Sequence, residues 1–338
     1  MLHYPIARPP GLGEVVALSA GVHWARLPVP GALKHINVWL IEDGAGWTLI
    51  DCGMDVPAAR EAWEGPFARY LEGRPLTRII CTHHHPDHAG LAAWLAGKYG
   101  APVFMSPREY ELLASVGVAG AEAGAARVAA FARDGLIARD DDRLMLSGEN
   151  YRRVISGTPT GVRYLRHRDT VMIGGRPWTA HLVRGHTDAQ LVFHSADLGL
   201  LIAGDQVLPK ISSNIGIYPE REDPDPIRSF IHSFACLRAL EPEPLVLPSH
   251  GEVFQGLRAR LDDLEGHHQL TLDKVLGIVT GPMSAFELAE RLFRGPLAGI
   301  HRMLALGEAL ANLEHLVRLG RLNVEEPAGG VRRYRPLG

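Results

Sequence analysis

Thr82-His83-His84-His85-Pro86-Asp87-His88-Ala89-Gly90 sets four side chains of metal-binding type, His83, His85, Asp87 and His88, in six consecutive positions. Before it, Leu76-Thr77-Arg78-Ile79-Ile80-Cys81 has the apolar, β-branched composition of a buried strand. The quartet is therefore expected on a loop at a strand's C-terminal end, the usual place for an active site. Imidazole and carboxylate suit Zn²⁺ and similar borderline ions. Side chains two apart in an extended segment project to the same side, so His83 and His85 can share one ion. Pro86 favours a turn, after which Asp87 and His88 can face a second ion nearby.

Two ions need further ligands, and three strand-like runs supply them. His181-Leu182-Val183 precedes His186, Leu200-Leu201-Ile202-Ala203-Gly204 ends on Asp205, and Leu245-Val246-Leu247-Pro248-Ser249 ends on His250. A single His or Asp at a strand end is most often a turn or cap residue. The ordered set of three, following the first run, carries the signal.

That set resembles the metallo-β-lactamase superfamily, whose pattern is His-x-His-x-Asp-His, a His in a Gly-His-Ser/Thr context, an Asp after Gly and a late His before Gly. Gly185-His186-Thr187, Gly204-Asp205 and His250-Gly251 match the last three. The resemblance implies His83, His85 and His186 on one metal, Asp87, His88 and His250 on a second, and Asp205 bridging both. Asp51, in Leu49-Ile50-Asp51-Cys52-Gly53, is similar to the family's early Asp-x-Gly turn and is expected to support ligands rather than to bind metal. Diiron redox members carry Glu where His85 stands, which argues against that branch.

The implied cofactors are two divalent ions, zinc first, with iron or manganese as alternatives. Two cations roughly 3.5–4 Å apart acidify a shared water while one of them polarises a carbonyl or phosphoryl oxygen. A bound hydroxide is then the expected nucleophile. Asp87 is expected to orient it or shuttle its proton, although metal binding alone also accounts for Asp87. No Ser nucleophile in a Gly-x-Ser-x-Gly setting is present.

With 338 residues, 46% of them apolar, the chain has enough material for a large packed domain and a small one. A formal charge of −3 gives no overall electrostatic case for nucleic acid or a membrane surface. Cys52, Cys81 and Cys236 are widely spaced, which suggests a reducing compartment and small buried hydrophobes. The first thirty residues lack an apolar signal-like core, and no stretch approaches the roughly eighteen apolar residues of a membrane span. Cytoplasmic residence and no membrane partner are the expectations.

Interleaved strands and helices predict an α/β fold, and the resemblance makes it a four-layer αββα sandwich. The catalytic domain is expected over residues 1–256. An Ala-rich helical insertion at about 107–166 serves either as a lid or as a packing appendage, and Val171 to Ala180 reads as a hairpin. Lys210, Asn214 and Tyr218, in the loop after Asp205, are candidate substrate contacts, with Lys210 suited to an anionic group. An ordinary polar loop is the competing reading.

From Gly256 the texture turns charged and helical. Arg258–Thr280, a capping-box start at Ser284-Ala285-Phe286-Glu287, and Ala305–Leu319 read as three helices, followed by a small hairpin flanking a Gly-rich turn. Residues 257–338 resemble the winged-helix tail of one group of these hydrolases. From Gly266 onward nine Lys and Arg stand against seven Asp and Glu, too mild a balance for a duplex binder. Arg332, Arg333 and Arg335 form a local basic cluster whose expected roles are a solvated edge, a homodimer contact or a wall of the substrate cleft.

Three activities follow: hydrolysis of a small-molecule ester, lactone or thioester, as in hydroxyacylglutathione hydrolases; single-strand endoribonuclease or phosphodiesterase action; and mononuclear iron persulfide dioxygenation. Near-neutral charge and the lid-like insertion favour the first. The missing basic stripe counts against the second, and the full second-site set of Asp87, His88 and His250 against the third.

Overall fold

Alternating apolar residues in the first eighty positions form strands that bury one face against a second sheet and the other against helices. The computed structural model describes residues 2–116, 120–295 and 297–337. Among these, a seven-stranded sheet runs in the order β1 (Val15–Ser19), β2 (Val22–Pro28), β3 (His35–Asp43), β4 (Gly46–Ile50), β5 (Leu76–Ile80), β6 (Val103–Met105) and β7 (Arg163–Tyr164). β1 to β4 pair antiparallel, and β4 to β7 pair parallel. The hairpin β8 (Thr170–Ile173) and β9 (Arg176–Val183), turning at Gly174-Gly175, starts a second sheet that continues through β10 (Gln190–Ser195), β11 (Leu200–Gly204) and β12 (Leu245–Pro248).

Trp24, Trp39, Ile50 and Ile80 of the first sheet meet Trp178, Leu191, Phe193 and Ile202 of the second in one buried layer. The first sheet's other face is covered by α1 (Pro57–Glu64), α2 (Pro66–Tyr70) and α4 (Ala92–Tyr99), with α3 (Pro86–Ala89) a short turn between β5 and α4. These layers make the α/β metallo-β-lactamase-type sandwich that the resemblance implies.

The insertion comprises α5 (Pro107–Val116), α6 (Ala121–Ala132), α7 (Asp140–Leu146) and α8 (Glu149–Arg152) before β7. α9 (Pro226–Arg238) is capped by Asp225, whose carboxylate accepts from the Arg228 amide at 3.2 Å. α10 (Leu257–Ile278), α11 (Ala285–Leu292) and α12 (Gly299–Arg318) precede the hairpin β13 (Leu322–Glu325) and β14 (Arg333–Pro336). The Ser284 box closes at both ends: Ser284 Oγ accepts from the Glu287 amide and Glu287 Oε2 from the Ser284 amide. α12 starts at Gly299, six residues before the expected Ala305, because burial of Arg302 and Met303 extends the helix beyond its apolar periodicity.

One apolar cluster runs through the second sheet, the insertion, α9 and the C-terminal segment, joining Val192, Phe131, Phe230 and Phe234 to Leu261, Leu306, Leu310 and Tyr334. Arg302 of α12 lies 3.2 Å from Asp142 of α7, and both side chains are buried. α12 is thus tied to the insertion by charge as well as by apolar packing.

His268 of α10 lies in this cluster, with its Nε2 3.2 Å from Ser212 Oγ and its ring edge-on to Phe230. Burial, together with His267 and His315, pushes its pKa from 6.5 down to about 4. The folded state therefore favours neutral His268. Its contribution is present above pH 6.5 and is lost as pH falls from about 6.5 to about 4. Between neutral pH and about pH 5 this amounts to about 2 kcal/mol. Urea unfolding of the wild type and of His268→Gln at those two pH values is expected to show a smaller acid loss in the variant. An equal loss in both proteins would sink the assignment.

Candidate metal centre

β5 ends at Ile80, and residues 82–85 form bends rather than continuing the strand. This corrects the expectation that alternation along an extended segment pairs His83 with His85. Pro86, first residue of α3, sets the helical φ and turns the chain there, so the two rings meet nearly perpendicular with centroids 4.6 Å apart. Gly90 lets this turn close: a Cβ there would lie 2.2 Å from Pro86 O and 2.9 Å from Gly53 O.

His186 follows β9 and Asp205 follows β11, while His250 lies just past β12, so all three reach the end of the sandwich that carries the His83 loop. In each of the sets His83, His85, His186 and Asp87, His88, His250, as in His83, His88, Asp205, the candidate ligand atoms lie within 4.8 Å of one another. His85 Nδ1 is 3.0 Å from His83 Nε2 and 3.1 Å from His186 Nε2. Nitrogens bound tetrahedrally at about 2.0–2.1 Å stand roughly 3.3 Å apart, so this spacing suits one shared ion. Asp205 faces both groups, with Oδ1 3.5 Å from His88 Nε2 and His250 Nε2, and Oδ2 3.5 Å from His186 Nε2. Asp87 Oδ2 lies 3.3 Å from His250 Nε2.

Oxygen acceptors on the outer side of the rings set their orientation. His88 Nδ1 donates to Asp51 Oδ2 at 2.8 Å, His186 Nδ1 to Asn214 O at 2.9 Å, and His250 Nδ1 to His35 O at 2.7 Å. Thr82 Oγ1 gives its proton to Asp51, so His83 Nδ1 donates to Thr82 Oγ1 at 3.0 Å. With their protons outward, His83, His88, His186 and His250 turn Nε2 lone pairs inward. His88 Nε2, His250 Nε2 and Asp205 Oδ1 are buried there with no hydrogen-bond partner. Converging, unpartnered acceptors are costly unless a cation is present, so the donor set fits divalent metal.

The carboxylates of the centre favour positive charge among them, a role that a divalent ion would fill, while the rings away from them are held neutral. Burial drives the pKa values of His83 and His85 well down, and the neighbouring imidazoles add to it. Burial also opposes charge on His88, but Asp51, Asp205 and Asp87 outweigh it and raise its pKa. Burial likewise disfavours the Asp205 carboxylate, yet His250 and His88 hold it ionised.

Asp51 sits at the loop's base. Its φ of +59° is a strained value for a residue other than glycine. In exchange its carboxylate accepts from the Thr82 amide, Thr82 Oγ1 and His88 Nδ1.

The three candidate substrate contacts are placed differently from one another. Lys210 is exposed, 3.3 Å from Glu252. Asn214 lies at the centre's edge, but through its backbone carbonyl on His186, while its amide nitrogen donates to Glu308 Oε2 at 3.2 Å. Tyr218 OH donates to Asn214 Oδ1 at 2.6 Å, so that proton is not available to a substrate. Burial raises the Tyr218 pKa and pushes Glu308 up to about 7.

Thr82, His35, Glu109, Arg221 and Glu308 support the site without having been singled out by their position in the sequence. Arg221 donates to His186 O and Gly185 O and pairs with Asp188 at 3.0 Å. Glu109, fully buried, accepts from His84 Nδ1 at 2.6 Å and from the Ala189 amide at 2.8 Å. Thr82 alone was visible locally, as the residue beginning the histidine run; the others are remote in sequence.

The chain matches the family model described as "Metallo-beta-lactamase superfamily" over residues 32–250, and that described as "Metallo-beta-lactamase-like, C-terminal domain" over residues 272–337. A beta-lactamase domain protein from Burkholderia ambifaria has a similar structure, with a TM-score of 0.89 at 36% identity, covering 99% of this chain and 98% of that one. A metallo-beta-lactamase family protein from Thermus thermophilus gives 0.80 at 27%, covering 95% of this chain and 100% of that one. In sequence the chain is 25% identical over 290 residues to the probable metallo-hydrolase YqjP of Bacillus subtilis, spanning 79% of this chain and 83% of that protein. A 66-residue stretch is 42% identical to a hydroxyacylglutathione hydrolase of Bradyrhizobium sp., spanning 19% of this chain and 26% of that protein.

Proposed function

Because the chain belongs to the metallo-β-lactamase superfamily of metal-dependent hydrolases, we propose that it hydrolyses an ester, lactone or thioester of a small molecule at a two-metal centre. His83, His85 and His186 would hold one ion, and Asp87, His88 and His250 the other. Asp205 lies between them. The observation that carries this reading is Asp205 itself, whose two oxygens face different groups of imidazole nitrogens. Zinc is the metal the donor set suits best.

When bound, two divalent ions supply Lewis acidity, which acidifies water and polarises a scissile carbonyl. The chain's own residues prepare the site for it. Asp51 and Thr82 keep the protons of His88 and His83 on Nδ1, so that Nε2 points inward. Asn214 O and His35 O do the same for His186 and His250. Asp87, whose Oδ2 faces the His250 imidazole as the candidate ligand oxygen, is the carboxylate that would also orient the nucleophile.

A thioester is the favoured leaving-group class, supported by the local likeness to a hydroxyacylglutathione hydrolase. The basic cluster supports no RNA track. Arg332 pairs with Asp134 and Glu314, Arg333 with Glu287 at 2.5 Å, and Arg335 with Glu325 at 2.5 Å. Each of those charges already has a carboxylate partner, which offsets the field a phosphate chain would meet. Residues 257–338 are proposed as a winged-helix unit that packs on the catalytic layers.

Elemental analysis of untagged protein, paired with assays on a thioester, a lactone and single-stranded RNA, tests the reading. The expected result is two zinc-like ions per chain with thioester or lactone turnover. Chelation is expected to abolish turnover, and about two equivalents of zinc to restore it. One iron per chain, or RNA cleavage alone, would overturn the proposal.

A further inference from the structure

α12 belongs to the C-terminal segment, yet it grips the loop that supports the metal centre. Glu308 Oε2 accepts from Asn214 Nδ2 at 3.2 Å, and the Gly307 carbonyl accepts from the Ile217 amide at 3.0 Å. The Tyr218 ring lies against Gly307, where a Cβ would come within 2.6 Å of it, and the Tyr218 hydroxyl returns to Asn214 Oδ1 at 2.6 Å. Both side-chain ends of Asn214 are thus held, one of them directly by α12. The backbone carbonyl of the same residue accepts from His186 Nδ1 at 2.9 Å.

Resting on the two-metal reading above, we propose that Glu308 is a positioning residue for the metal centre, fixing His186 through Asn214. The C-terminal helix then completes the site rather than merely covering it. Hydrogen-bond partners behind a ligating imidazole set its tautomer and ring direction, and losing one commonly costs about 10–100-fold in metal affinity. The effect is expected to be local. His186 belongs to the set with His83 and His85, whereas His88 and His250 are oriented by Asp51 and His35, which α12 does not hold.

The test is zinc competition against a chromophoric chelator on the full chain, with thermal melts of the metal-free protein. Wild type binding two zinc equivalents checks the two-metal reading separately from this inference. In Glu308→Ala, which loosens the Asn214 carbonyl without removing it, one equivalent is expected to weaken by up to about 10-fold, the lower end of a lost partner's cost, and the other to stay near the wild-type value. Glu308→Gln, whose amide oxygen still accepts from Asn214, should restore most of the loss. Asn214→Ala leaves α12 intact and should reproduce the loss, and combining it with Glu308→Ala should add little, since both cut one link. Unchanged zinc affinity in Glu308→Ala, or additive losses in the pair, would overturn the proposal. So would a fall in both affinities together with the melting temperature, which marks a packing role. Should Glu308→Ala not fold, Asn214→Ala decides alone, and normal zinc binding there would overturn the proposal.

Discussion

Asp205→Ala is expected to lower kcat/KM by about 10³-fold or more while the chain stays folded. Metal-centred charge stabilisation is worth several kcal/mol, and each 1.36 kcal/mol is tenfold in rate. Among the described residues Asp205 is the one carboxylate whose oxygens face both groups of imidazoles, so its loss separates the two groups. The fold should survive because what anchors residue 205 is backbone: its amide donates to Gln190 Oε1 and its carbonyl accepts from Ser213 Oγ. Alanine keeps both bonds. Zinc content should fall from two per chain to one or fewer, with the far-ultraviolet circular dichroism unchanged. Wild-type turnover in this variant would remove Asp205 from the centre.

Deleting residues from Gly266 onward is expected to abolish cooperative folding, not to leave a smaller enzyme of altered selectivity. The cut removes most of α10 and all of α11, α12 and the last hairpin. It strips cover from Phe131, Ile215, Phe230, Phe234, Leu261 and Leu264, all buried in the cluster they share with Leu272, Leu306 and Leu310. Full burial of such side chains is worth about 1.5–3 kcal/mol each, so the combined loss reaches about 10 kcal/mol, comparable to a whole domain's stability of about 5–15 kcal/mol. Asp142, buried beside Arg302, would lose that partner as well. A sharp melting transition in the truncated chain would show that the two parts fold separately.

The strand β5 and the histidine run could be read directly, because apolar, β-branched composition and the spacing of His83, His85, Asp87 and His88 are local properties. α11 was equally legible, since Ser284 caps its own helix within three residues. The beginning of α12 was not, since Arg302 is helical for reasons that lie in α7. The surroundings of the candidate substrate contacts were hidden for a similar reason. Asn214 and Tyr218 carry groups that suit a ligand, and nothing local reveals that Glu308, 94 positions away, and Gly307 already occupy them.

By itself, the order of residues determined which side chains have the chemistry to hold metal and on which strand ends they sit, because donor type and strand periodicity are set within a few residues. Tertiary structure alone decided which of those donors come together, which nitrogen of each imidazole points inward, and that a helix near the C-terminus packs on the supporting loop. Those outcomes depend on acceptors such as Asp51, His35 O and Asn214 O, brought to the rings by packing between elements as far apart as β3 and β12. Hydrogen bonds and burial act over a few ångströms, and only the folded chain brings distant residues that close.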